Sequence, residues 1–301
     1  MNGFVRILSI VFLVARIRGQ ICVEETLNCE DPVPTIFKLG DASCQCNDAA
    51  HAGALKYANG KVHLCVGTEW KTFQLLGEYG TDSANPGISC KDILNKAGKQ
   101  LSNGVFWIRL QGNQQAFPVY CDMAAGGWTM IFKAVSGVDR RVWDLYNSAE
   151  ASAEFVTAAL DITNQHRDHY KNRVVMHWQS FSPSQAKVIV YEGGVNKKEL
   201  LFNAAGTDKL NWFSEGKLVS SSWTDIKTEE TNYFSIEGDS PRNFFINRKY
   251  GGCDVDAGWL VAGAGIHCSW ETSAAHKNKV LYSKKSTYTN WNSNGEARLL
   301  F

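Results

Sequence analysis

The sequence predicts an α+β fold with a central antiparallel sheet, preceded by a small disulfide-rich β-hairpin module. Two observations lead to this prediction. The nine cysteines are unevenly spaced, with five between Cys22 and Cys65 and four in the remaining two thirds of the chain. In the second part, a capped helix is followed by strand-like runs separated by short polar or glycine-rich turns, the pattern of neighbouring antiparallel strands.

The chain opens with a segment, residues 1–19, that has the features of a signal peptide. Arg6 supplies the positive start, residues 7–15 are apolar, and Gly19 is a small residue at a possible cleavage point. The apolar stretch is too short to span a bilayer. Arg16 and Arg18 are unusual just before a cleavage site, so an uncleaved anchor is the alternative. We expect a secreted, extracellular protein.

The charge of the chain excludes strongly electrostatic partners. The sequence carries 31 basic and 30 acidic residues, and loss of the three arginines in residues 1–19 leaves 28 against 30. A net charge of this size creates no field that would attract nucleic acid or an anionic membrane. We therefore expect neither as a partner.

The cysteines are best explained as disulfides formed in an oxidising compartment. Zinc is the competing explanation for Cys44 and Cys46, but no second ligand pair stands at zinc-finger spacing. Nine is an odd number, so one thiol is left over or pairs with another chain, which would give a disulfide-linked oligomer. The pairing among Cys22, Cys29, Cys44, Cys46 and Cys65 stays open.

The cysteine-rich module is expected to span residues 20–76. Residues 54–57 and 62–66 flank Asn59-Gly60, a dipeptide preferred in two-residue hairpin turns. Cys65 lies in the second strand, where it can accept a disulfide. Residues 77–86 are rich in turn formers and predict a linker, so the large domain covers residues 87–301.

The elements of the large domain follow in order. Ser89 and Asp92 form a capping box for a helix that Gly98 ends. Strands are predicted at 105–110, 116–121 and 128–133, a helix at 149–160, and a hairpin made of 187–191 and 200–202 around Gly193-Gly194. No internal repeat or low-complexity tract is present.

Four segments of this domain resemble the opening of the fibrinogen-like domain: CKDIL at 90–94, GVFWI at 104–108, FPVYCDM at 117–123 and GGWT at 126–129. The resemblance is strong over 90–133 and moderate over 244–291, and residues 134–245 depart from it. The stretch FINRKYGGC at 245–253, with CSWE at 268–271, is most similar to secreted proteins of corals and their relatives, including a class found in skeletal organic matrix. The resemblance implies two disulfides, Cys90–Cys121 and Cys253–Cys268.

The resemblance also implies recognition rather than catalysis, with a ligand pocket beside the second disulfide for acetylated sugars or exposed peptide ends. Carried onto this sequence, the pocket residues are Tyr250, Trp259, His267 and Trp270. Aromatic faces with a few polar groups suit such ligands. The alternative is that both tryptophans pack on the bridge and that His267 is an ordinary turn residue.

Calcium binding, which the resemblance would also imply, is not expected at the usual place. The stretch before Cys253 carries Arg248 and Lys249, which would repel the ion. Asp254 and Asp256 alternate as in a weak oxygen site, but two carboxylates without further ligands are more typical of a solvated turn. We therefore assign no metal and no cofactor.

An enzyme is not indicated, because the motifs Gly-x-Ser-x-Gly and His-Glu-x-x-His, a phosphate-binding loop and a dinucleotide fingerprint are all absent. His166 and His169 stand at i, i+3 on a possible helix, where a polar helix face explains them better than a metal site. The sequence thus predicts a secreted recognition or matrix-interaction protein. A more specific form of this prediction is a component of a skeletal organic matrix with a role in biomineralization. The alternative is a calcium-independent, lectin-like protein of innate recognition that binds acetylated glycans. Extracellular glycans or matrix proteins are the expected partners.

Overall fold

The computed structural model describes residues 45–58, 61–73, 78–112, 115–163, 165–239, 241–263, 265–272, 276 and 279–293. The predicted signal peptide, Cys22, Cys29, Cys44 and the Asn59-Gly60 turn lie outside the described residues. The chain divides into two compact units, residues 1–76 and 77–301.

The smaller unit contains a three-stranded antiparallel sheet in the order β1-β2-β3, made of Leu55–Ala58, Lys61–Val66 and Glu69–Phe73. A 3₁₀ turn, Ala49–His51, precedes it. Cys46 and Cys65 form a disulfide with a Cα–Cα distance of 5.6 Å, and both are buried together with Ala54. The predicted hairpin module and its disulfide in the second strand are therefore confirmed, and β3 extends the hairpin.

The larger unit begins with a helix and the first disulfide. Helix α1 spans Cys90–Lys96, and Ser89 caps it by accepting a hydrogen bond from the Asp92 amide, as the capping box predicts. Strands β4 (Gly104–Ile108), β5 (Phe117–Asp122) and β6 (Trp128–Thr129) form a sheet in that order. The disulfide Cys90–Cys121 joins α1 to β5, and both cysteines are fully buried.

The segment predicted as a linker packs onto this first part of the larger unit. The Tyr79 hydroxyl donates a hydrogen bond of 2.5 Å to Asp92, and the Trp107 amide donates one of 2.7 Å to the Gly80 carbonyl. Gly80 has φ +82°, and a Cβ there would lie 2.5 Å from Ile93. The turn-forming residues around Tyr79 and Gly80 therefore belong to a closely packed loop.

The middle of the domain contains short elements: β7 (Phe132–Lys133) paired with β8 (Tyr170–Lys171), helix α2 (Val142–Asn147), helix α3 (Trp178–Phe181) and 3₁₀ turns at Thr157–Leu160, Arg173–Val175 and Glu215–Lys217. The predicted helix at 149–160 is wrong. Ala153 has φ +55°, Ser152 forms a β-bridge to Lys171, and Glu154 pairs with Arg173 at 2.5 Å. These long-range contacts hold the segment in a conformation that its helix-forming residues do not favour.

Two further antiparallel sheets complete the larger unit. Strands β9 (Gln185–Glu192), β10 (Val195–Asn203) and β11 (Leu218–Ser221) lie in the order β11-β10-β9, and Gly193 and Gly194, both at positive φ, form the predicted β9–β10 turn. The other sheet has the order β12-β13-β14-β15, with β16 also paired to β14. Its strands are Thr231–Ser235, Asn243–Arg248, Ala257–Ala262, Val280–Tyr282 and Thr289–Asn290. The central antiparallel sheet is thus confirmed.

Candidate functional site

The second disulfide, Cys253–Cys268, is formed and has a Cα–Cα distance of 5.2 Å. It joins the 3₁₀ turn Cys253–Val255, which follows β13, to the start of helix α4 (Ser269–Thr272). Strand β14, which runs between the two cysteines, is buried along its whole length. The disulfide therefore connects the segments that precede and follow the buried strand β14.

The exposed side chains around this bridge are of mixed character, and Lys249, Asp254 and Ser269 are among the polar ones. Ile266 is 83% exposed, Val255 56% and Tyr250 45%, and His267 is exposed as well. The Tyr250 hydroxyl lies 3.5 Å from Cys253 Sγ and 3.8 Å from Cys268 Sγ, so the phenol lies directly against the bridge. We call Tyr250, Val255, Ile266 and His267 the bridge surface. Three of its four members are large apolar or aromatic side chains.

The two tryptophans predicted to line a pocket here are interior residues instead. Trp259 is fully buried, and its indole N–H donates a 2.7 Å hydrogen bond to Asp225. Trp270 is 3% exposed, donates to Asp256 at 3.1 Å, and packs on Trp291 with ring centroids 5.7 Å apart. Each indole is positioned by a carboxylate, half-buried at Asp225 and buried at Asp256, so neither contributes to the bridge surface. Packing on the bridge describes Trp270, which shares a core cluster with Cys268, whereas Trp259 packs in the main core.

The loop that carries Ile266 and His267 is held from below by one buried carboxylate. Glu271, 1% exposed, accepts hydrogen bonds from the backbone amides of Gly265, His267 and Cys268 at 2.7, 2.9 and 2.7 Å. The guanidinium of Arg242, also buried, donates to the same carboxylate at 2.6 Å. A single side chain therefore binds three backbone amides of the loop within four residues, 265–268.

The electrostatics of this arrangement keep Glu271 ionised. Burial opposes ionisation, but the hydrogen bonds from Arg242 and from the backbone of Cys268 and Gly265 outweigh it and lower the pKa below its ordinary 4.5. Asp256 lies 3.8 Å from Arg242, and there burial prevails and raises the pKa above 3.8. The Arg242 charge is therefore balanced mainly by Glu271.

The two aspartates considered as a weak calcium site do not act together. Asp254 is exposed, whereas Asp256 is fully buried and its carboxylate accepts hydrogen bonds from Asn247 at 3.0 Å and from Trp270. Alternation along an extended chain would have placed both on one side, but the 3₁₀ turn at 253–255 separates them. Within the described ranges, no group of three His, Cys, Asp or Glu side chains is arranged to hold a metal ion.

The two histidines at i, i+3 lie in an irregular segment rather than on a helix. His169 is 1% exposed: its Nδ1 accepts from the Val135 amide at 2.9 Å and its Nε2–H donates to the Arg140 carbonyl at 2.8 Å. Burial lowers its pKa below 6.5. The imidazole is therefore a neutral structural link between two loops.

Sequence reasoning missed four residues of this site: Val255, Ile266, Arg242 and Glu271. One signal was available for Ile266, because it stands in a short glycine-containing loop, GAGIHC at 263–268, where an isolated apolar side chain has little to pack against. No local pattern marks Arg242 and Glu271 as partners, since they are 29 residues apart.

Comparison with known proteins bears on the class of the larger unit. Residues 87–181 match the family model described as fibrinogen beta and gamma chains, C-terminal globular domain. The chain therefore carries a fibrinogen-like domain, a class that is generally not enzymatic and that fits an extracellular recognition or matrix role. The bridge surface lies beyond the matched residues.

No curated protein matches the chain. Among the residues that the structure covers, no helix is long and apolar enough to cross a membrane.

Proposed function

We propose that the protein is an extracellular recognition protein that binds its partner through the bridge surface. The observation that carries this proposal is the exposure of Ile266, Val255 and Tyr250 around one disulfide. Burial of a side chain of this kind is worth about 1.5–3 kcal/mol. The exposed part of these side chains adds no buried area to the fold, but it is available to a partner.

Rigidity of the loop supports the same proposal. Binding costs about 0.5–1.5 kcal/mol for each side chain that has to be ordered. The Cys253–Cys268 bridge and the Glu271 hydrogen bonds order the loop before any partner arrives. A small preorganised apolar surface with an aromatic ring is typical of the central residues of a binding interface.

A lectin-like protein that binds acetylated glycans is the second candidate. The phenol of Tyr250, the exposed side chain of Ile266 and the imidazole of His267 offer an aromatic face, an apolar contact for an acetyl methyl group and a polar group. This binding would be independent of calcium, since Asp256 is engaged by Asn247 and Trp270.

Residence in an extracellular matrix, including a skeletal organic matrix, extends the first proposal and is supported by the sequence resemblance. Cys46 and Cys65 are bonded to each other, so Cys22, Cys29 and Cys44 remain, an odd number. One of them would then be available for a covalent link to another chain. Electrophoresis without reductant should show a dimer or larger band, and a purely monomeric band would exclude the cross-linked form.

Binding of the purified secreted protein to two panels tests the main proposal. One panel holds acetylated sugars and their non-acetylated counterparts, and the other holds extracellular matrix fractions, each with and without chelator. Ile266→Ser and Tyr250→Ala should each weaken binding at least about tenfold, the effect of removing a central interface side chain. Val219→Ser is the control, because Val219 is 49% exposed on β11.

The two candidates predict different outcomes. Preference for acetylated over non-acetylated sugars supports the lectin-like protein, whereas binding confined to matrix fractions supports the matrix role. Equal binding by the wild type, both variants and the control would remove the bridge surface from the function.

A further inference from the structure

Two pairs of lysines that are far apart in the sequence lie together on the surface of the larger unit. Lys197 and Lys198 belong to strand β10, and Lys284 and Lys285 belong to the loop between β15 and β16. The Lys198 ammonium donates a 2.5 Å hydrogen bond to the Lys285 carbonyl, 87 residues away in the sequence, which joins the two pairs. Glu192, at the end of β9, accepts a 2.8 Å hydrogen bond from Lys284. We call these five residues the lysine surface.

A β-bulge in β10 brings both lysines of the first pair to this surface. Successive side chains of a regular strand point to opposite faces. In the pairing of β10 with β9, however, the register shifts between Asn196 and Lys198, so Lys197 is an extra residue. A bulge of this kind changes the direction of a side chain and is common beside functional sites. The hydrogen bond from Lys284 lowers the pKa of Glu192 below 4.5, and the charge of Lys197 adds to this effect.

The loop that carries the second pair is held through its backbone. The indole N–H of Trp223 donates a 2.9 Å hydrogen bond to the Ser283 carbonyl, and the Thr224 amide donates one of 2.7 Å to the Ser286 carbonyl. These two carbonyls stand directly before and after the lysine pair. The backbone on either side of the pair is therefore fixed, while both lysine residues are exposed.

The charges of the lysine surface are unbalanced. It carries four positive charges and one negative charge, a net charge of +3, in a chain whose total formal charge is +1. Like charges that lie close together are destabilising. Burial also lowers the pKa of Lys198, because its ammonium is partly withdrawn from water. The arrangement therefore costs stability, and it attracts a ligand of opposite charge.

The aromatic rings next to these lysines are buried. Trp223 and Tyr282 are each 1% exposed. The ammonium of Lys198 lies 5.9 Å from the centre of the Trp223 ring, and that of Lys284 lies 5.9 Å from the centre of the Tyr282 ring. Single-stranded nucleic acids are bound by stacking of their bases on exposed rings. Neither ring is available for this, so the lysine surface presents ammonium groups without a stacking platform.

We propose that the lysine surface binds an acidic polysaccharide through sulfate or carboxylate groups along the sugar chain. A lysine ammonium is a point charge with three donors on a flexible stem, whereas arginine presents a rigid planar fork. All four cations of the surface are lysines, which suits anionic groups whose spacing varies along a flexible chain. The lysine surface shares no residue with the bridge surface, so this binding does not depend on the function proposed for that surface.

The affinity of the intact secreted protein for heparin, a densely sulfated polysaccharide, tests the proposal. Contact of one lysine with an anionic surface is worth about fivefold in affinity, so Lys284→Gln and Lys285→Gln together should weaken binding about 25-fold. Lys91→Gln and Lys99→Gln together are the matched control, because they remove two positive charges from exposed positions of the same unit. This control should bind like the wild type. A rise in salt from about 0.1 M to 1 M shortens the Debye length from about 10 Å to 3 Å and should abolish binding.

Glu192→Gln gives a second measurement of opposite sign. It removes the negative charge of the lysine surface and should strengthen heparin binding about fivefold, a result that a misfolded variant would not give. Ile266→Ser should leave heparin binding unchanged, because Ile266 belongs to the bridge surface.

Two further polyanions identify the group that is recognised. Selective binding of heparin over hyaluronate, which carries carboxylates but no sulfates, would assign the surface to sulfated chains, and equal binding would assign it to carboxylates; both support the proposal. Duplex DNA that binds as tightly as the polysaccharides would overturn it. Equal losses in the lysine variant and its control, weaker binding by Glu192→Gln, or a loss in Ile266→Ser as large as that in the lysine variant would also overturn it.

Discussion

Replacement of Glu271 by glutamine should destabilise the larger unit strongly although the side chain keeps its shape. Oε1 of Glu271 accepts from Arg242 at 2.6 Å and from the Gly265 amide, and Oε2 accepts from the amides of His267 and Cys268. Glutamine replaces one of these oxygens by an NH₂ group. The two N–H groups that bonded to the replaced oxygen then face an NH₂ group, which is itself a donor. Arg242 also loses its main counter-charge.

The expected loss is about 3–5 kcal/mol of unfolding free energy. A hydrogen bond to a charged group contributes about 1.5–3 kcal/mol, and two are lost. Removal of one member of a buried ion pair costs about 3–5 kcal/mol by itself, and this figure includes those two bonds. For a domain of this size, the loss corresponds to a Tm lower by on the order of 10 °C.

Glu229→Gln provides the matched control. Glu229 also accepts from an arginine, Arg248, at 2.6 Å, but the two side chains are 31% and 41% exposed. An exposed pair contributes only about 0–1 kcal/mol. Guanidinium unfolding of both variants, followed by tryptophan fluorescence, gives the comparison. If Glu271→Gln loses no more than Glu229→Gln, the buried network does not hold the loop and the reasoning is refuted.

Three further predictions concern the backbone and two buried bases. Gly258→Ala should cost about 1–3 kcal/mol, because the new Cβ would lie 2.5 Å from the Ile246 carbonyl oxygen, whereas Gly216→Ala has open space and should be nearly neutral in the same unfolding assay. Because the pKa of His169 is lowered from 6.5, the unfolded state binds more protons below that pH, and stability should fall as pH drops from 6.5 toward the folded pKa. His169→Leu should remove this slope, and parallel pH curves would contradict it. Burial lowers the pKa of Lys171 from 10.5 to about 8, so the unfolded state binds more protons between these values and stability should rise with pH there. The difference between wild type and Lys171→Met in urea midpoints measures the effect, and a constant difference would contradict it.

Features encoded by local signals were predictable from the sequence. The cap of α1 depends on Ser89 and Asp92, which are three residues apart, and the β9–β10 turn depends on Gly193 and Gly194, which both take positive φ. The bond between Cys90 and Cys121 followed from a resemblance concentrated in the same 44 residues, 90–133. The first two features are determined by residues close in sequence, whereas the disulfide, whose cysteines are 31 residues apart, was predictable only through the resemblance.

Features decided by distant partners were not predictable in this way. Residues 149–160 favour a helix, but Ser152 and Glu154 are bound by Lys171 and Arg173, which stand 19 residues further along. An aromatic residue beside a cysteine suits both a ligand pocket and a core. The hydrogen bonds from the indoles of Trp259 and Trp270 to the carboxylates of Asp225 and Asp256 show that both tryptophans belong to the core, and these aspartates are distant in sequence.

The buried Arg242–Glu271 pair connects the stability of the domain to its proposed function. Buried ion pairs are weak contributors to stability, since well-packed apolar residues often serve as well. This pair does something that apolar residues could not do, because its carboxylate binds three backbone amides of the Ile266 loop. Ordering a loop residue costs about 1–2 kcal/mol in backbone entropy. A loop that only connected β14 to α4 would not need to be ordered at this cost, whereas a loop that presents Ile266 and His267 to a partner would.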